Sequence, residues 1–224
     1  MKKGAAQHAA EIIQKRIRSD EYPMGKSLPG QRTLAEELGV GRPAIREAIS
    51  ALECLGMLQV EPGRGVFVRD PQAVHSTHWR FANQYSLDNV YSVRASLESL
   101  SVFLATQRAT LAEIRMLELL TEKFQAAVKI ADLLAMSAAD RAFHRKLAEM
   151  SCNPLLLEML DAFDVVINEC RNLAFRDVTA KHRAAPVLEH RQIIEAIKSG
   201  DAIVASKKMN MHILQAQARA GLSA

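Results

Sequence analysis

Three of the seven histidines in this 224-residue chain fall on apolar helical faces. In DRAFH, Asp140 and His144 stand four residues apart and so share one face of a helix, with Phe143 and Leu147 flanking them. His190 falls on the stripe made by Ile193, Ile194 and Ile197, and His212 on the stripe made by Ala205, Met209 and Ala216. Any one of them alone reads as a hydrogen-bonded core histidine. Three inward imidazoles and a carboxylate from three separate helices point instead to a divalent first-row metal ion. Zinc is the first expectation, and nickel, manganese or iron are the other ions that imidazole–carboxylate sites take. Asp140 would neutralise part of the ion's charge.

The arginines carry a second chemistry. Arg42 and Arg46 lie one turn apart on a polar stripe with Ser50 and Glu53, while Ala44, Ile45, Ala48, Ile49, Ala51, Leu52 and Leu55 make up the other half of the wheel. Arginines so placed can reach guanine edges or phosphates in a DNA major groove, although the same pattern also describes a plain solvated face. What surrounds them decides. A short helix, Gln31 to Leu38, precedes them with Leu34, Ala35 and Leu38 inward, and Gly39-Val40-Gly41 breaks the chain between the two helices. Two β-type runs follow, Met57–Glu61 and Val66–Val68, around a Pro62-Gly63-Arg64-Gly65 tip. Helix, turn, helix and ribbon together outline a winged helix-turn-helix DNA reader. The glycine tip at Gly63 lets the backbone approach a groove, and Arg64 is placed to enter the minor groove or touch phosphate. Arg94 allows two readings. It can form an i, i+4 ion pair with Glu98, worth roughly a few tenths of a kcal/mol, or it can offer a planar two-point match to a carboxylate ligand.

The elements that must position these residues divide the chain in two. An amphipathic helix over Gln7–Ser19, with Ala9, Ile12, Ile13 and Ile17 at helical spacing, precedes the reader, and Ser27-Leu28-Pro29-Gly30 leads into it. Gly56 ends the second reader helix. Asp70-Pro71-Gln72 closes this first domain, residues 1–70, and residues 71–85 read as a linker. From residue 86 to 224 the pattern is helical throughout. Segments at Leu87–Arg108, Leu111–Val128, Ala131–Met150, Pro154–Arg176, Pro186–Ser199 and Ala202–Ala220 are separated by short breaks, most clearly Asn153-Pro154 and Ser199-Gly200-Asp201. The expectation is a mainly α protein: a winged helix-turn-helix followed by an antiparallel bundle of six or seven helices.

Composition agrees with that division. At 49% hydrophobic the chain can bury two cores, and a net charge of +4 implies no polyelectrolyte tail, so nucleic-acid contact must come from local clustering. The three cysteines, Cys54, Cys152 and Cys170, are widely spaced and odd in number, as reduced thiols in a cytoplasm would be, with Cys54 and Cys170 as small core residues. No apolar run approaches the roughly 20 residues of a membrane span, and no signal peptide is visible, so the expected location is cytoplasmic.

The first 70 residues resemble the DNA-binding domain of the GntR family of bacterial transcription regulators. The likeness lies in Leu28-Pro29, Gln31-Arg32, Leu34-Ala35, Leu38-Gly39-Val40, Arg42, Ile45-Arg46-Glu47-Ala48, Leu52 and Gly63-Arg64-Gly65. It implies base or phosphate contacts by Arg32, Arg42 and Arg46, with the wing around Gly63 and Arg64 adding minor-groove contact. Two departures stand out. Gly41 replaces the usual Ser or Thr before the recognition helix, which removes a capping hydroxyl and its phosphate contact, and Gly30 stands where Ser or Ala is usual.

The helical remainder resembles the FCD ligand-binding module of the FadR subfamily. Metal-binding members have an Asp-x3-His pair, a Glu-His pair (here Glu189-His190) and a late histidine (here His212), which implies ligand roles for Asp140, His144, His190 and His212. They also have an Arg followed by Leu-Glu where Arg94 stands, which favours the ligand-binding reading of that arginine. The function expected is that of a homodimeric repressor reading a pseudo-palindromic double-stranded operator. Its affinity would be controlled by a small organic acid held between the metal and Arg94. Two alternatives remain open from the residues: a metal-responsive repressor without an organic effector, and a helical-bundle metalloenzyme, for which no general base is evident.

Overall fold

A computed structural model describes residues 4–69, 84–175 and 180–221, with side chains from residue 184 in the last stretch. Most of the expected 71–85 linker lies outside the described residues. The chain divides into two compact units, Met1–Thr77 and His78–Ala224.

In the first unit, α1 (Ala5–Arg18) buries Ala9, Ala10, Ile13 and Gln14 and packs on α3 (Arg42–Cys54). Helix α2 (Gln31–Leu38) ends at Gly39, whose φ of 62° gives the left-handed C-cap that glycine adopts without strain. Helix α3 starts at Gly41 with no side-chain cap, and Pro43 in its first turn uses up a position where no N–H is needed. It buries Ile45, Ala48, Ile49 and Leu52, whereas Ala51, expected inside, is exposed. The wing is an antiparallel pair, β1 (Leu58–Glu61) and β2 (Gly65–Val68), in the register Leu58↔Val68 and Val60↔Val66. Alternation buries Leu58, Val66 and Val68 against the helices. The stretch before α2 is more than a lead-in. Leu28 donates to the Val66 carbonyl (2.7 Å) and Val68 to the Lys26 carbonyl (2.8 Å), so Lys26–Leu28 lies along β2 as a third edge.

The second unit holds seven helices among the described residues: α4 (Leu87–Thr106), α5 (Leu111–Lys129), α6 (Leu133–Met150), α7 (Pro154–Ala162), α8 (Asp164–Leu173), α9 (Ala180–Lys198) and α10 (Ala202–Arg219). Five of their starts carry side-chain caps. Ser86, Asp132, Asn153 and Asp201 each accept from a backbone N–H in the first turn, and Thr110 with Glu113 forms a capping box on α5. Helix α4 packs on α10 and α6, α5 on α6 and α9, and α9 on α10. They enclose a core around Tyr91, Val102, Leu117, Phe143, Ile193, Met209 and Ile213.

Three expected boundaries move. The segment Pro154–Arg176 is two helices, interrupted at Phe163 (φ −103°, ψ 8°). Ala131 is not helical, because at φ 51° it turns the chain ahead of the Asp132 cap. Pro186 does not open its helix but lies inside α9. The backbone bond that proline forfeits is outweighed by burial of Val187, His190, Ile193, Ile194 and Ile197 on the same helix.

Candidate functional site

The reading head presents its arginines outward. Arg42 and Arg46 are exposed on α3, opposite the buried stripe that fixes the helix on α1. Arg32 on α2 is also exposed and leans towards Glu36 at 3.9 Å. At the wing tip Gly63 takes φ 75°, as its place in the turn requires. Arg64 is paired with Glu61 and lies 5.7 Å from the Phe67 ring, so its guanidinium is pre-positioned beside the tip. Glu53, which the helical wheel placed on the polar stripe, accepts from the Val60 N–H at 2.9 Å and ties the recognition helix to the wing. That contact joins two elements through a turn, and the helical pattern alone gives no sign of it.

Inside the bundle, Asp140 and His144 from α6, His190 from α9 and His212 from α10 converge, each at least 95% buried. One donor atom from each lies within 4.8 Å of all the others. His144 Nε2 is 3.3 Å from His212 Nε2 and 3.7 Å from Asp140 Oδ2, and His190 Nε2 is 3.4 Å from Asp140 Oδ1. Ligands bound at about 2.0–2.2 Å around one ion stand roughly 3–3.5 Å from their neighbours. The spacing suits such a cage.

The surrounding carboxylates say more. His212 Nδ1 lies 2.7 Å from Glu189 Oε2, and Arg219 grips the same carboxylate with two bonds of 2.7 and 2.9 Å. Burial works to raise the Glu189 pKa, but the bonds from His212 and Arg219 outweigh it and pull it down to about 2. His144 Nδ1 contacts Glu98 Oε2, and Glu98 is held well below the usual carboxylate range as His144, Arg94 and Arg171 outweigh its burial. An imidazole facing an ionised carboxylate through Nδ1 carries its proton there, so its Nε2 bears the lone pair. Burial meanwhile pushes all three imidazoles towards the neutral form. Two lone pairs, on His144 and His212, therefore face each other at 3.3 Å. His190 faces Asp140 through Nε2 and is fixed by stacking on Phe143, centroids 4.0 Å apart. The imidazoles are neutral and oriented beside one carboxylate, which fits a divalent cation.

Comparison with known proteins agrees with both halves. Residues 5–68 match the bacterial regulatory proteins of the gntR family, and residues 89–215 match the FCD domain. The putative L-lactate dehydrogenase operon regulatory protein of Escherichia coli is 30% identical over 215 residues, covering 91% of this chain and 81% of the relative. This chain belongs to the GntR family. The transcriptional repressor NanR of Cronobacter sakazakii is 27% identical over 95% of the chain and 84% of that protein. Among solved structures, McbR/YncC of E. coli shares the fold with a TM-score of 0.57 at 20% identity, covering 98% of each chain. Membership of the GntR family makes this chain a DNA-binding transcription regulator rather than an enzyme. No helix among its described residues is long and apolar enough to cross a membrane.

In this GntR-family chain the structure brings together all four residues that the sequence grouped. Arg94 lies nearby, but in the ion pair: it is 1% exposed, its Nε is 2.9 Å from Glu98 Oε1, and it lies 5.5 Å from the Tyr91 ring centre. Sequence reasoning missed three contributors. Glu98 was seen as a partner for Arg94 and not as the group that orients His144. Arg171 and Arg219 were passed over on α8 and α10, where each stands among other polar residues.

Proposed function

We propose that this regulator is a repressor whose hold on a pseudo-palindromic operator is set by a small organic acid bound at a divalent metal in the FCD domain. Arg32, Arg42, Arg46, Gly63 and Arg64 make the DNA contacts, two copies of the chain supply two reading heads, and Asp140, His144, His190 and His212 hold the ion. Zinc suits this donor set best, with nickel, manganese and iron as chemically acceptable occupants. The bound ion supplies positive charge and an open coordination position for an oxygen ligand.

The observation that carries the reading is the pair of Nε2 atoms 3.3 Å apart, on two buried rings that each face a carboxylate through Nδ1. A cation between them removes the repulsion while leaving both imidazoles neutral. The charges around them add a second support. Glu98, Asp140 and Glu189 already face the guanidiniums of Arg94, Arg171 and Arg219, so a divalent ion adds positive charge that an anion can balance. The relative tied by name to an L-lactate dehydrogenase operon places a similar chain in carboxylic-acid metabolism. The acid controls DNA binding through unequal affinity for two arrangements of the paired heads.

The test is a thermal-shift screen of organic acids on the full chain, with and without chelator, alongside elemental analysis of the wild type and His190→Ala. Stabilisation by acid only when metal is present, with stoichiometric metal in the wild type alone, is the expected result. Absence of stoichiometric metal would leave a core of hydrogen-bonded histidines. Metal without any acid response would favour the metal-only repressor.

A further inference from the structure

Resting on that reading, we propose that Arg171 is the residue that meets the acid's carboxylate, and that Arg94 acts behind it by holding Glu98. A small, half-open cleft leads in from the surface. Its inner end is formed by Glu98, His144 and Arg171, and its walls by Leu157, Leu160 and Ile167 of α7 and α8. Of the four candidate metal ligands, His144 alone lines it, so an acid arriving by this route passes Arg171 on the way to the metal position. Arg94 is not among the lining residues.

The state of Arg171 supports the assignment. Its side chain is 8% exposed, and its Nε has no hydrogen-bond partner among the described residues. The nearest carboxylate oxygens, Glu98 Oε1 at 3.5 Å from Nη2 and Asp140 Oδ2 at 3.7 Å from Nε, balance its charge without completing its donors. A buried guanidinium left with an unmatched N–H is unfavourable unless a ligand completes it. Arg94 differs on each count, with Nε bonded to Glu98 at 2.9 Å and Nη1 3.5 Å from the Cys170 sulfur. At the mouth, Arg141 is already paired with Asp164 and Arg145 with Asp161. The unmatched donor therefore lies at the inner end, where a carboxylate can bridge Arg171 and the metal while its short carbon body rests on the apolar walls.

The test uses the full-length, zinc-loaded protein as wild type, Arg171→Gln and Arg171→Lys, with zinc content measured for each. Titration calorimetry with acetate, L-lactate, succinate and citrate gives the affinities. The expected result is full zinc occupancy in both variants and a roughly tenfold or greater loss of affinity in Arg171→Gln for the acid that the wild type binds best, with Arg171→Lys in between. Unchanged acid affinity in zinc-loaded Arg171→Gln would overturn this inference while leaving the metal-and-acid reading intact. Loss of zinc from both variants would also overturn it, by making Arg171 part of the metal's own support. If the zinc-loaded wild type binds none of the four acids, the underlying reading fails and this inference fails with it.

Discussion

Replacing Glu189 by glutamine tests the metal site without touching a ligand. Glu189 accepts a hydrogen bond from His212 Nδ1 at 2.7 Å and anchors itself on Arg219 through bonds of 2.7 and 2.9 Å. The substitution keeps the shape and removes the charge. One of the two anchoring oxygens becomes an NH2 that Arg219 cannot donate to. The amide can also donate to His212 Nδ1, which favours the tautomer with its proton on Nε2, the nitrogen that faces His144. Outer partners of this kind typically contribute 10–100-fold to metal affinity, about 1.4–2.7 kcal/mol. A chelator-competition titration with Zn²⁺ should therefore show Glu189→Gln binding roughly 10–100 times more weakly, with helical content unchanged by circular dichroism. Zinc affinity within about twofold of the wild type would refute the reasoning, because the carboxylate would then not be setting the His212 tautomer.

Three further outcomes follow from the same geometry. Arg42→Ala or Arg46→Ala should cost about 1–3 kcal/mol of operator binding; a gel-shift titration with unchanged affinity for both variants would remove α3 from the groove. Gly41→Ser should raise the melting temperature slightly and tighten DNA binding. The backbone there (φ −70°, ψ 150°) accepts any residue, and an added Cβ meets only the Pro43 Cδ at an ordinary 3.5 Å; serine then caps a helix that has no side-chain cap, and a drop in melting temperature would count against this. Acidification should destabilise the protein once pH falls below about 6.5. The folded-state pKa values of His144, His190 and His212 are lowered by burial, so the unfolded chain takes up protons first and stability present above that pH is lost below it. The slope is about 1.4 kcal/mol per pH unit for each histidine that stays neutral. Metal release has the same sign, and a melting temperature that is flat from pH 8 to 5.5, with or without chelator, would contradict the assignment.

How far the sequence could be read depended on whether a feature had a local signature. Gly39, the Asp132, Asn153 and Asp201 caps and the wing tip are local, and the elements they bound were legible within a few residues. The break at Phe163 has no glycine or proline to mark it, and Pro186 marks a boundary that packing overrides. The third edge at Lys26–Leu28 depends on pairing with a strand about 40 residues later, which periodicity cannot see. At the site, helical spacing was enough to group Asp140, His144, His190 and His212, because each lies on an apolar stripe. Arg94 was read correctly as having Glu98 within reach, but its burial to 1% depends on α8 and the residues near Cys170. Arg171 and Arg219 looked like ordinary helix-surface cations, since their partners are on other helices.

Those distant partners bear on how metal and acid would act together. Glu98 accepts from Arg94, contacts His144 and lies 3.5 Å from Arg171, so one carboxylate touches both an imidazole of the metal cage and the guanidinium at the inner end of the cleft. An anion that engages Arg171 competes with Glu98 for that guanidinium and leaves Glu98 more fully committed to His144 and Arg94. That commitment strengthens the Nδ1–H bond and with it the donor strength of His144 Nε2. Linkage then requires reciprocity: if the acid tightens metal binding through Glu98, the metal tightens acid binding by the same factor. Such coupling is carried by α4, α6 and α8, which supply Glu98, His144 and Arg171 respectively. If an acid binds there as proposed, a change in its occupancy acts first on how these three helices are held together.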